Sequence, residues 1–482
     1  MKKNYIYNLI LSVFNILFPI LSFPYASRTL GPIGIGKVQF ISSFTQYFVM
    51  IASLGIPVYG AREIAKLKGK NVLQSKVFSE LLSIALIMSL LMTVFYLAII
   101  YVFPFFTVDK HLYVIAAISI FFNFSSIDWL YLGLEEFKMI ALRSVAIKVL
   151  SLVFLYLMVK SKGDVTIYLC LIIFSGLANS IINFLVIGKR VTFSIIDLNL
   201  KQHISPMLLI FGMSVATSLY TVLDVVLLGF LSDEKAVGLY TAAVKLTKII
   251  IPFLTSLGAV LTPSIVKHFA DKNYDDIQVL LNKAFHFTVF FSIPSFMGLV
   301  LLAPEFILIF SGKEFIDGVL GMQILAILPV SIGFASIWGF LILNPSSRDK
   351  EVLYAVIAGM VTCVLLNFLL VPTFRQNGAA VANVGTEFVV LGGFMYYVKK
   401  HYQFNFPWKL LIRALVSSLL FIPLVIFIKH LNLGLVPTLF TSVAFCGALY
   451  FIMQWFIFKD AYIQQLRDKV SSYFASDIKA SI

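Results

Sequence analysis

The sequence predicts an all-α polytopic membrane protein, and three observations support this fold class. The 482-residue chain is 60% hydrophobic, only 12% of its residues are charged, and its mean hydropathy is +0.96. Soluble globular proteins carry about 25% charged residues, so half of that fraction indicates a chain that lies mostly in lipid. The apolar runs are too long for barrel strands, whereas helices satisfy their own backbone hydrogen bonds in lipid.

About fourteen apolar segments follow one another along the chain. Each is long enough, at about 1.5 Å per residue, to cross a hydrocarbon core of about 30 Å. The basic start and the apolar run after it resemble a signal peptide, but further spans follow, so we interpret this run as an uncleaved first helix. The segments are 7–28, 38–58, 77–103, 111–132, 142–160, 165–188, 207–231, 239–262, 284–304, 318–343, 351–372, 378–398, 408–428 and 433–457.

The distribution of Lys and Arg predicts the orientation of these helices. With the N-terminus in the cytoplasm, 25 of the 37 basic residues lie on the inner side, nine on the outer side and three within spans. Cytoplasmic loops carry the excess of positive charge, so both termini are predicted to be cytoplasmic. The same excess explains most of the net charge of +14, and no nucleic-acid partner is implied. The longest connections, 189–206 and 263–283, are too short for a soluble catalytic domain, so we do not expect an enzyme.

An internal repeat predicts the domain organisation. RTLGPIGIGKVQF at the end of span 1 matches VLLGFLSDEKAVGLYTAA at the end of span 7, with Gly31 opposite Gly229 and Gly36 opposite Gly238. Glycines of this kind suit helix C-caps and tight turns. Six helices separate the two copies, so both halves have the same orientation, related by an axis along the membrane normal. We therefore expect two six-helix lobes around a central cavity, with two additional C-terminal helices and a cytoplasmic tail. The corresponding residues are 1–190, 191–400 and 401–482.

Three charges lie inside apolar runs in the stretch VLDVVLLGFLSDEKAVGLYTAAVKLTKIIIP, residues 222–252. A charge at the centre of a membrane helix costs roughly 2.5–3.5 kcal/mol. Lys245 and Lys248 share one helix face by their i, i+3 spacing, and Asp224 is predicted to lie level with Lys245. An Asp224–Lys245 ion pair that joins two helices is one explanation. Even with such a pair Lys248 is left over, which implies an anionic ligand or a water-filled cavity.

Two further cations extend this interpretation to a cationic cavity. Lys148 lies within span 5, and Arg28 lies near the outer end of span 1. Arg and Lys side chains are the usual ligands of phosphate groups in proteins. A phosphate-bearing substrate would therefore be complementary to Arg28, Lys148, Lys245 and Lys248.

The acidic residues within spans are candidates for ion coupling. Asp128, Asp224 and Glu387 could each bind a proton or sodium ion during transport. The alternative for each is a hydrogen-bonded acid with a structural role. Glu80 lies near the cytoplasmic end of its span, and we expect its side chain to extend to the membrane surface.

Two patterns that suggest a nucleotide or a metal do not carry the required chemistry. GPIGIGKV, from Gly31 to Val38, nearly matches a phosphate-binding loop, but Val38 replaces the hydroxyl residue and a membrane helix precedes it. Cys170, Cys363 and Cys446 are widely spaced, and the six histidines form no ligand pair. We therefore expect no cofactor and no metal.

The chain resembles the Wzx-type polysaccharide flippases, which belong to the multidrug/oligosaccharidyl-lipid/polysaccharide exporter superfamily. The resemblance covers most of the chain and is strongest in SFPYASRTLGPIGIGKVQFISSFTQYFVMIASLGIPVYGAREIAK, residues 22–66. Weaker matches are DVVLLG at 224–229, VGLYTAAVKL at 237–246 and LVPTFRQNGAAVANVGTE at 370–387.

The resemblance implies two six-helix lobes around a V-shaped cavity in the bacterial inner membrane. It implies transfer of undecaprenyl-diphosphate-linked oligosaccharide between leaflets, driven by an H+ or Na+ gradient without ATP. Arg28, Lys245 and Lys248 become candidate contacts for the diphosphate or the glycan. Arg62 and Glu63 would lie at the cytoplasmic mouth, where they either meet the lipid headgroup or anchor a helix end. Membrane lipids, a polysaccharide polymerase and a chain-length regulator are the implied partners.

Three alternatives remain open from the sequence. A multidrug or cation antiporter of the same fold is expected to have an acidic cavity, whereas this chain has buried cations as well as acids. A lipid II flippase would agree with the count of fourteen segments. A membrane-embedded polymerase is expected to carry a large extracytoplasmic loop, which we do not find in the sequence.

Overall fold

A computed structural model describes residues 2–187, 191–194 and 198–459. Within these ranges the secondary structure is helical, and no strand is present, which confirms the predicted all-α fold. Ten helices of the described part are long and apolar enough to cross a membrane, or eleven if one bent helix pair counts as a single span. The chain is therefore a multi-pass membrane protein. The last segment of the predicted tail, residues 460–482, lies outside the described residues.

The helices are numbered in chain order. They are α1 Lys2–Ser53, α2 Ile56–Lys66, α3 Asn71–Val102, α4 Lys110–Phe121, α5 Asp128–Gly133, α6 Phe137–Met158, α7 Val165–Ile187, α8 Lys201–Leu231, α9 Glu234–Lys248, α10 Ile251–Ala270, α11 Tyr274–Leu301, α12 Ala303–Phe310, α13 Val319–Leu325, α14 Leu328–Ala335, α15 Asp349–His401, α16 Lys409–Leu419, α17 Phe421–His430 and α18 Leu435–Ile452. Short 3₁₀ turns occupy Pro104–Phe106, Phe122–Ser125 and Lys313–Gly318, and π-helical turns occupy Ser336–Leu343 and Met453–Ile457.

Two of these helices each contain two predicted segments joined by a kink. In α1 the kink is at Gly31, where φ is +70°. Glycine adopts this conformation without side-chain strain. In α15 the kink is at Arg375, where φ is +50°, an uncommon conformation for a residue with a side chain. Arg375 forms an ion pair with Asp233, which lies between α8 and α9. The number fourteen itself stays a prediction.

Other predicted spans are broken by irregular backbone. Segment 38–58 ends at Leu54 and Gly55, which both have positive φ, and α2 begins with Pro57 in its first turn. Proline is favoured in the first turn of a helix because its missing N–H needs no partner there. Segment 239–262 is divided between α9 and α10, which are bent by 44° relative to each other.

The chain contacts divide the protein into two compact units. Unit 1 comprises 1–241, 310–315 and 363–379, and unit 2 comprises the remainder. In unit 1, α1 packs against α3, α4, α6 and α8, and α2 packs against α5. In unit 2, α11 packs against α10, α14 and α16, and it also contacts α17 and α18. The C-terminal helices are therefore an integral part of unit 2. The predicted lobes 1–190 and 191–400 stay a prediction.

The glycines of the repeat mark a close helix crossing in unit 1. A Cβ atom added to Gly36 would lie 1.7 Å from the carbonyl oxygen of Glu234. A Cβ atom added to Gly238 would lie 1.9 Å from the carbonyl oxygen of Pro32. The carbonyl that faces Gly36 belongs to the residue four positions before Gly238, and the carbonyl that faces Gly238 belongs to the residue four positions before Gly36. A local two-fold axis produces such a reciprocal relation. Only Gly31 serves the turn expected from the sequence, whereas Gly36 and Gly238 allow two backbones to touch.

Candidate functional site

The two lysines found inside an apolar run lie at the end of a helix. Lys245 and Lys248 are in the last turn of α9, and both side chains are half-buried. The negative end of the helix dipole favours cations there, by about 0.3–1 kcal/mol and up to about 2 kcal/mol in partly buried sites. This is less than the roughly 2.5–3.5 kcal/mol cost of a membrane charge. Lys248 forms no ion pair or hydrogen bond within the described residues. The helix dipole therefore offsets only part of the cost of these two charges. The remaining cost still favours an anionic ligand near Lys248.

An apolar groove of about 530 Å³ in unit 2 is lined in part by the chain neighbours of these lysines, although neither lysine lines it. Leu246 and Ile249, which alternate with the lysines along the chain, line one side of it. The remaining wall comes from α11, α12, α17 and α18, and includes Phe290, Phe291 and Tyr450. The predicted additional C-terminal helices thus form part of this wall. An apolar groove beside cations can accept a ligand that has a charged head and a hydrocarbon tail.

Arg28 and Lys148 both lie along the contact between α1 and α6 in unit 1. Arg28 is exposed and lines an outer pocket with Tyr25, Tyr156 and Lys160. Lys148 donates a hydrogen bond to the side-chain oxygen of Asn15. The sequence analysis did not identify the two tyrosines or Lys160. Tyr25 precedes Arg28 by three residues, and this helical spacing was the available signal.

Asp128 belongs to a polar network that joins three helices. The carboxylate accepts hydrogen bonds from the Arg143 guanidinium at 2.6 Å and from the Asn183 amide at 2.8 Å. Tyr131 donates to the carbonyl of Asn183 at 2.9 Å, and Asn179 accepts from Arg143 at 3.2 Å. Arg143 is one of the 25 basic residues that the sequence places on the inner side, but its side chain is only 8% exposed and lies within α6. Asp128 therefore has a structural partner, and ion coupling by this residue stays a prediction.

Asp224 and Glu387 are buried acids in different units. Asp224 is 2% exposed and accepts a hydrogen bond from the hydroxyl of Tyr240, which joins α8 to α9. Glu387 lies in α15 and is 5% exposed. Burial makes ionisation of such groups costly unless a partner stabilises the charge. Ion coupling by either residue stays a prediction.

Glu80 does not reach the membrane surface as expected. Its side chain is only 1% exposed, and its carboxylate contacts the first turn of α8. It accepts hydrogen bonds from the Asn199 backbone N–H at 2.8 Å and from the Gln202 amide at 3.0 Å. A third contact, at 2.8 Å, joins it to Nε2 of His203, and Nδ1 of the same ring lies 2.9 Å from the Tyr59 hydroxyl. The expectation was wrong because hydrogen bonding inside the protein replaces solvation by water.

The two residues assigned to the cytoplasmic mouth lie on α2. Arg62 is exposed, and Glu63 forms an ion pair of 2.7 Å with Lys66 on the same helix. An i, i+3 pair of this kind stabilises a helix modestly, by about 0.2–0.5 kcal/mol. Both roles of these residues, contact with a lipid headgroup and anchoring of the helix end, stay predictions. Among the described residues, no group of three or more His, Cys, Asp or Glu side chains could hold a metal ion.

Comparisons with solved structures identify the fold. The structure of "Lipid II flippase MurJ, inward closed conformation" superimposes with a TM-score of 0.79 at 15% sequence identity, and the match covers 95% of this chain and 99% of that one. The structure titled "Crystal structure of MATE in the bent conformation" gives a TM-score of 0.52 at 15% identity over 80% of this chain and 97% of that one. At these identities the likeness establishes a shared fold and no more.

Sequence comparison identifies the family. A protein of Escherichia coli (strain K12) named "Putative O-antigen transporter" is 25% identical over 411 residues, which cover 83% of this chain and 97% of that protein. The pattern of the MatE family matches residues 210–369. The pattern described as "Polysaccharide biosynthesis protein" matches residues 1–269, more than half of the 482 residues. The chain belongs to the polysaccharide biosynthesis protein family.

Proposed function

We propose that the protein is a flippase that moves undecaprenyl-diphosphate-linked oligosaccharide repeat units across the cytoplasmic membrane, for the synthesis of O-antigen or capsule. The observation that carries the proposal is the apolar groove beside half-buried Lys245 and Lys248. A lipid-linked diphosphate has an anionic head and a long hydrocarbon tail, so a single molecule satisfies both surfaces. The family and the relative named for O-antigen transport support the same conclusion.

The proposed mechanism assigns different tasks to the charged and apolar residues. Lysines bind the diphosphate as point charges, and the groove shields the hydrocarbon tail from water. Alternating access then moves the headgroup between leaflets, with an H+ or Na+ gradient as the driving force. Asp128, Asp224 and Glu387 are the candidate coupling acids. No bond of the substrate is broken, so the protein is a transporter and not an enzyme.

The orientation completes this proposal. Both termini lie in the cytoplasm of a bacterial cell, because the basic residues are concentrated on that side. Repeat units are accepted at the inner leaflet, near Arg62 and Glu63, and released at the outer leaflet near Arg28. There a polysaccharide polymerase and a chain-length regulator would use the product. No cofactor is required for these steps.

Two alternatives share the fold. A multidrug antiporter binds cationic drugs, which half-buried lysines would repel. A lipid II flippase carries the same diphosphate chemistry, and the superposition on MurJ keeps this second candidate open. The identity of the lipid-linked sugar separates the two flippases.

A deletion strain tests the proposal. Its lipids are extracted and undecaprenyl-diphosphate-linked repeat units are measured by mass spectrometry, together with surface polysaccharide. We expect single repeat units to accumulate on the cytoplasmic side while surface polymer is lost. Accumulation of lipid II with normal surface polymer would favour the peptidoglycan alternative. Unchanged surface polymer without accumulation, in a strain that has no second flippase, would contradict both.

Replacing Lys248 by alanine is expected to abolish export, because the diphosphate loses one of the two cations proposed to bind it. Losing a hydrogen bond to a charged group typically costs about 1.5–3 kcal/mol, or more than tenfold in binding. Surface polysaccharide is measured in the deletion strain carrying the variant, with membrane insertion checked by immunoblot. The matched control is Lys267→Ala, an exposed lysine of α10. Normal surface glycan in the Lys248 variant would remove this residue from the site.

A further inference from the structure

We propose that the contact between α1 and α6 forms a track for the phosphate-bearing headgroup of the lipid-linked substrate, with an outer and an inner station. This inference rests on the proposed function and adds a path to it. We call the contact the α1–α6 seam. Its residues on α1 are Asn15, Phe18, Leu21, Tyr25 and Arg28, and those on α6 and the turn that follows are Lys148, Tyr156, Lys160 and Lys162.

The outer station is a pocket of about 800 Å³ lined by three cations. Arg28 comes from α1, and Lys160 and Lys162 come from the turn after α6. Lys162 pairs with Glu314 at 2.6 Å, and both side chains are more than half exposed. The nearby Asp164 carboxylate accepts hydrogen bonds from the backbone N–H groups of Lys160 and Ser161 at 2.8 and 2.7 Å. These bonds hold the pKa of Asp164 below its ordinary value. Three basic side chains therefore line this pocket, and one of them, Lys162, is paired with Glu314.

Two tyrosines give the outer station a surface for a sugar. The ring centroids of Tyr25 and Tyr156 are 4.3 Å apart. The Tyr25 hydroxyl donates to the carbonyl of Val159 at 2.7 Å, and the Tyr156 hydroxyl donates to the carbonyl of Leu21 at 3.3 Å. Both rings are therefore held in place before a ligand arrives. Fixed aromatic rings beside cations suit a headgroup in which a sugar is attached to phosphate.

The inner station is formed by Lys148. Its ammonium group donates to the neutral side chain of Asn15 and lies 5.9 Å from the centre of the Phe18 ring. Within the described residues it meets no carboxylate, so its charge is not neutralised. Lys148 and Lys160 are twelve residues apart, which is about 18 Å along a helix. One diphosphate group cannot span this distance, so the two stations are used in succession.

The two helices present the same pattern along the seam. On α1, the spacing i, i+4, i+8 and i+11 places Leu17, Leu21, Tyr25 and Arg28 on one face. On α6, the spacing i, i+4 and i+7 places Val149, Val153 and Tyr156 on one face, and Lys160 follows in the turn after the helix. The four aliphatic side chains are 42–50% exposed. Each face thus runs from apolar contacts, suited to a hydrocarbon tail, to an aromatic ring and then a cation.

Photocrosslinking in nanodiscs tests the track with the full-length protein. A benzophenone amino acid replaces Leu17 near the inner station or Leu21 at the outer station. The probe is labelled undecaprenyl diphosphate in phosphatidylcholine. We expect capture at both positions. Lys148→Gln should lower capture at position 17 about tenfold, because one hydrogen bond to a charged group is lost. Lys160→Gln should lower capture at position 21 by the same factor for the same reason. Lys110→Gln, an outer lysine 3.6 Å from the centre of the Tyr101 ring and absent from the seam, should change neither.

The competing ligands separate the sources of the phosphate group. Unlabelled undecaprenyl diphosphate should abolish capture, whereas equal amounts of phosphatidylglycerol or inorganic pyrophosphate should not. Equal competition by phosphatidylglycerol would identify a general surface for anionic lipids. Equal competition by pyrophosphate would identify a site for free anions. Either result overturns the track. Capture that is unchanged in both lysine variants also overturns it. The two lysine variants are also expressed in the deletion strain, which without the protein does not export repeat units. Normal export by both variants would overturn the track and leave the proposed function intact.

Discussion

Replacing Gly36 by alanine is expected to force the α1–α9 crossing apart. The new methyl group would lie 1.7 Å from the carbonyl oxygen of Glu234 and 2.9 Å from the backbone nitrogen of Gly238. Both obstacles are backbone atoms, so no side-chain rotation can relieve the overlap. Overpacking in a well-packed interior costs about 1–3 kcal/mol and occasionally more. A cost of about 3 kcal/mol corresponds to more than a hundredfold change in any equilibrium between a closed and an open crossing.

The measurement combines thermal unfolding in detergent with cysteine accessibility at Ile33, an exposed residue beside the crossing. We expect the Gly36→Ala variant to unfold at a lower midpoint temperature than the native protein. If the crossing opens during transport, the variant should instead stay folded and a cysteine at position 33 should be labelled faster. Gly176→Ala on α7 is the control, because nothing lies within 4 Å of its added methyl group. Gly238→Ala should reproduce the effect, since its methyl group meets Pro32 in the same way. Behaviour of both variants like Gly176→Ala would show that the backbones are not in contact.

Replacing Glu80 by alanine is expected to lower the free energy of unfolding by about 3–5 kcal/mol, because each buried donor that loses its acceptor costs about 1–3 kcal/mol. The substitution leaves the backbone N–H of Asn199 and the Gln202 amide without their acceptor. It also leaves His203, whose side chain is 5% exposed, without its carboxylate partner. The first turn of α8 then loses its attachment to α3.

Unfolding in a denaturing detergent, followed by tryptophan fluorescence, measures this loss. Glu63→Ala provides the control, because Glu63 forms a partly exposed pair with Lys66 on α2. Exposed pairs contribute about 0.2–1 kcal/mol, so the control should remain close to the native protein. Glu80→Gln keeps the size of the side chain and one acceptor oxygen. Its loss of unfolding free energy should therefore lie between those of Glu80→Ala and Glu63→Ala. Equal losses for Glu80→Ala and Glu63→Ala would contradict a buried network.

The charges within the membrane illustrate how far sequence reasoning reaches. Spacing correctly placed Lys245 and Lys248 on one face of one helix. It did not reveal that α9 ends at Lys248, so that the helix dipole offsets part of the cost of these cations. Asp128 was recognised as an intramembrane acid, whereas its partner Arg143 was only one of the basic residues counted on the inner side. The residues around a helix end and those within a helix are similarly apolar in this chain. Only the backbone conformation shows where each helix begins and ends.

The same limit explains the error at Glu80. Its position near the end of a span made the membrane surface the expected environment. The groups that bury it lie on α8, and the His203 contact joins residues 123 positions apart in the chain. The Lys148–Asn15 contact, which anchors the inner station of the seam, spans 133 positions. No local pattern encodes such a separation, because it depends on which helices are neighbours.

By itself the sequence determined that this chain is an all-α multi-pass membrane protein, where most of its apolar segments lie, and which charges are costly. Hydrophobicity and charge are local properties of the chain, so the cost of each residue in lipid can be evaluated without a partner. The tertiary structure alone decided which charges are paired, which glycines bring backbones together, and which cations share the α1–α6 seam. These are properties of pairs of distant residues, and the packing of the helices determines which residues meet.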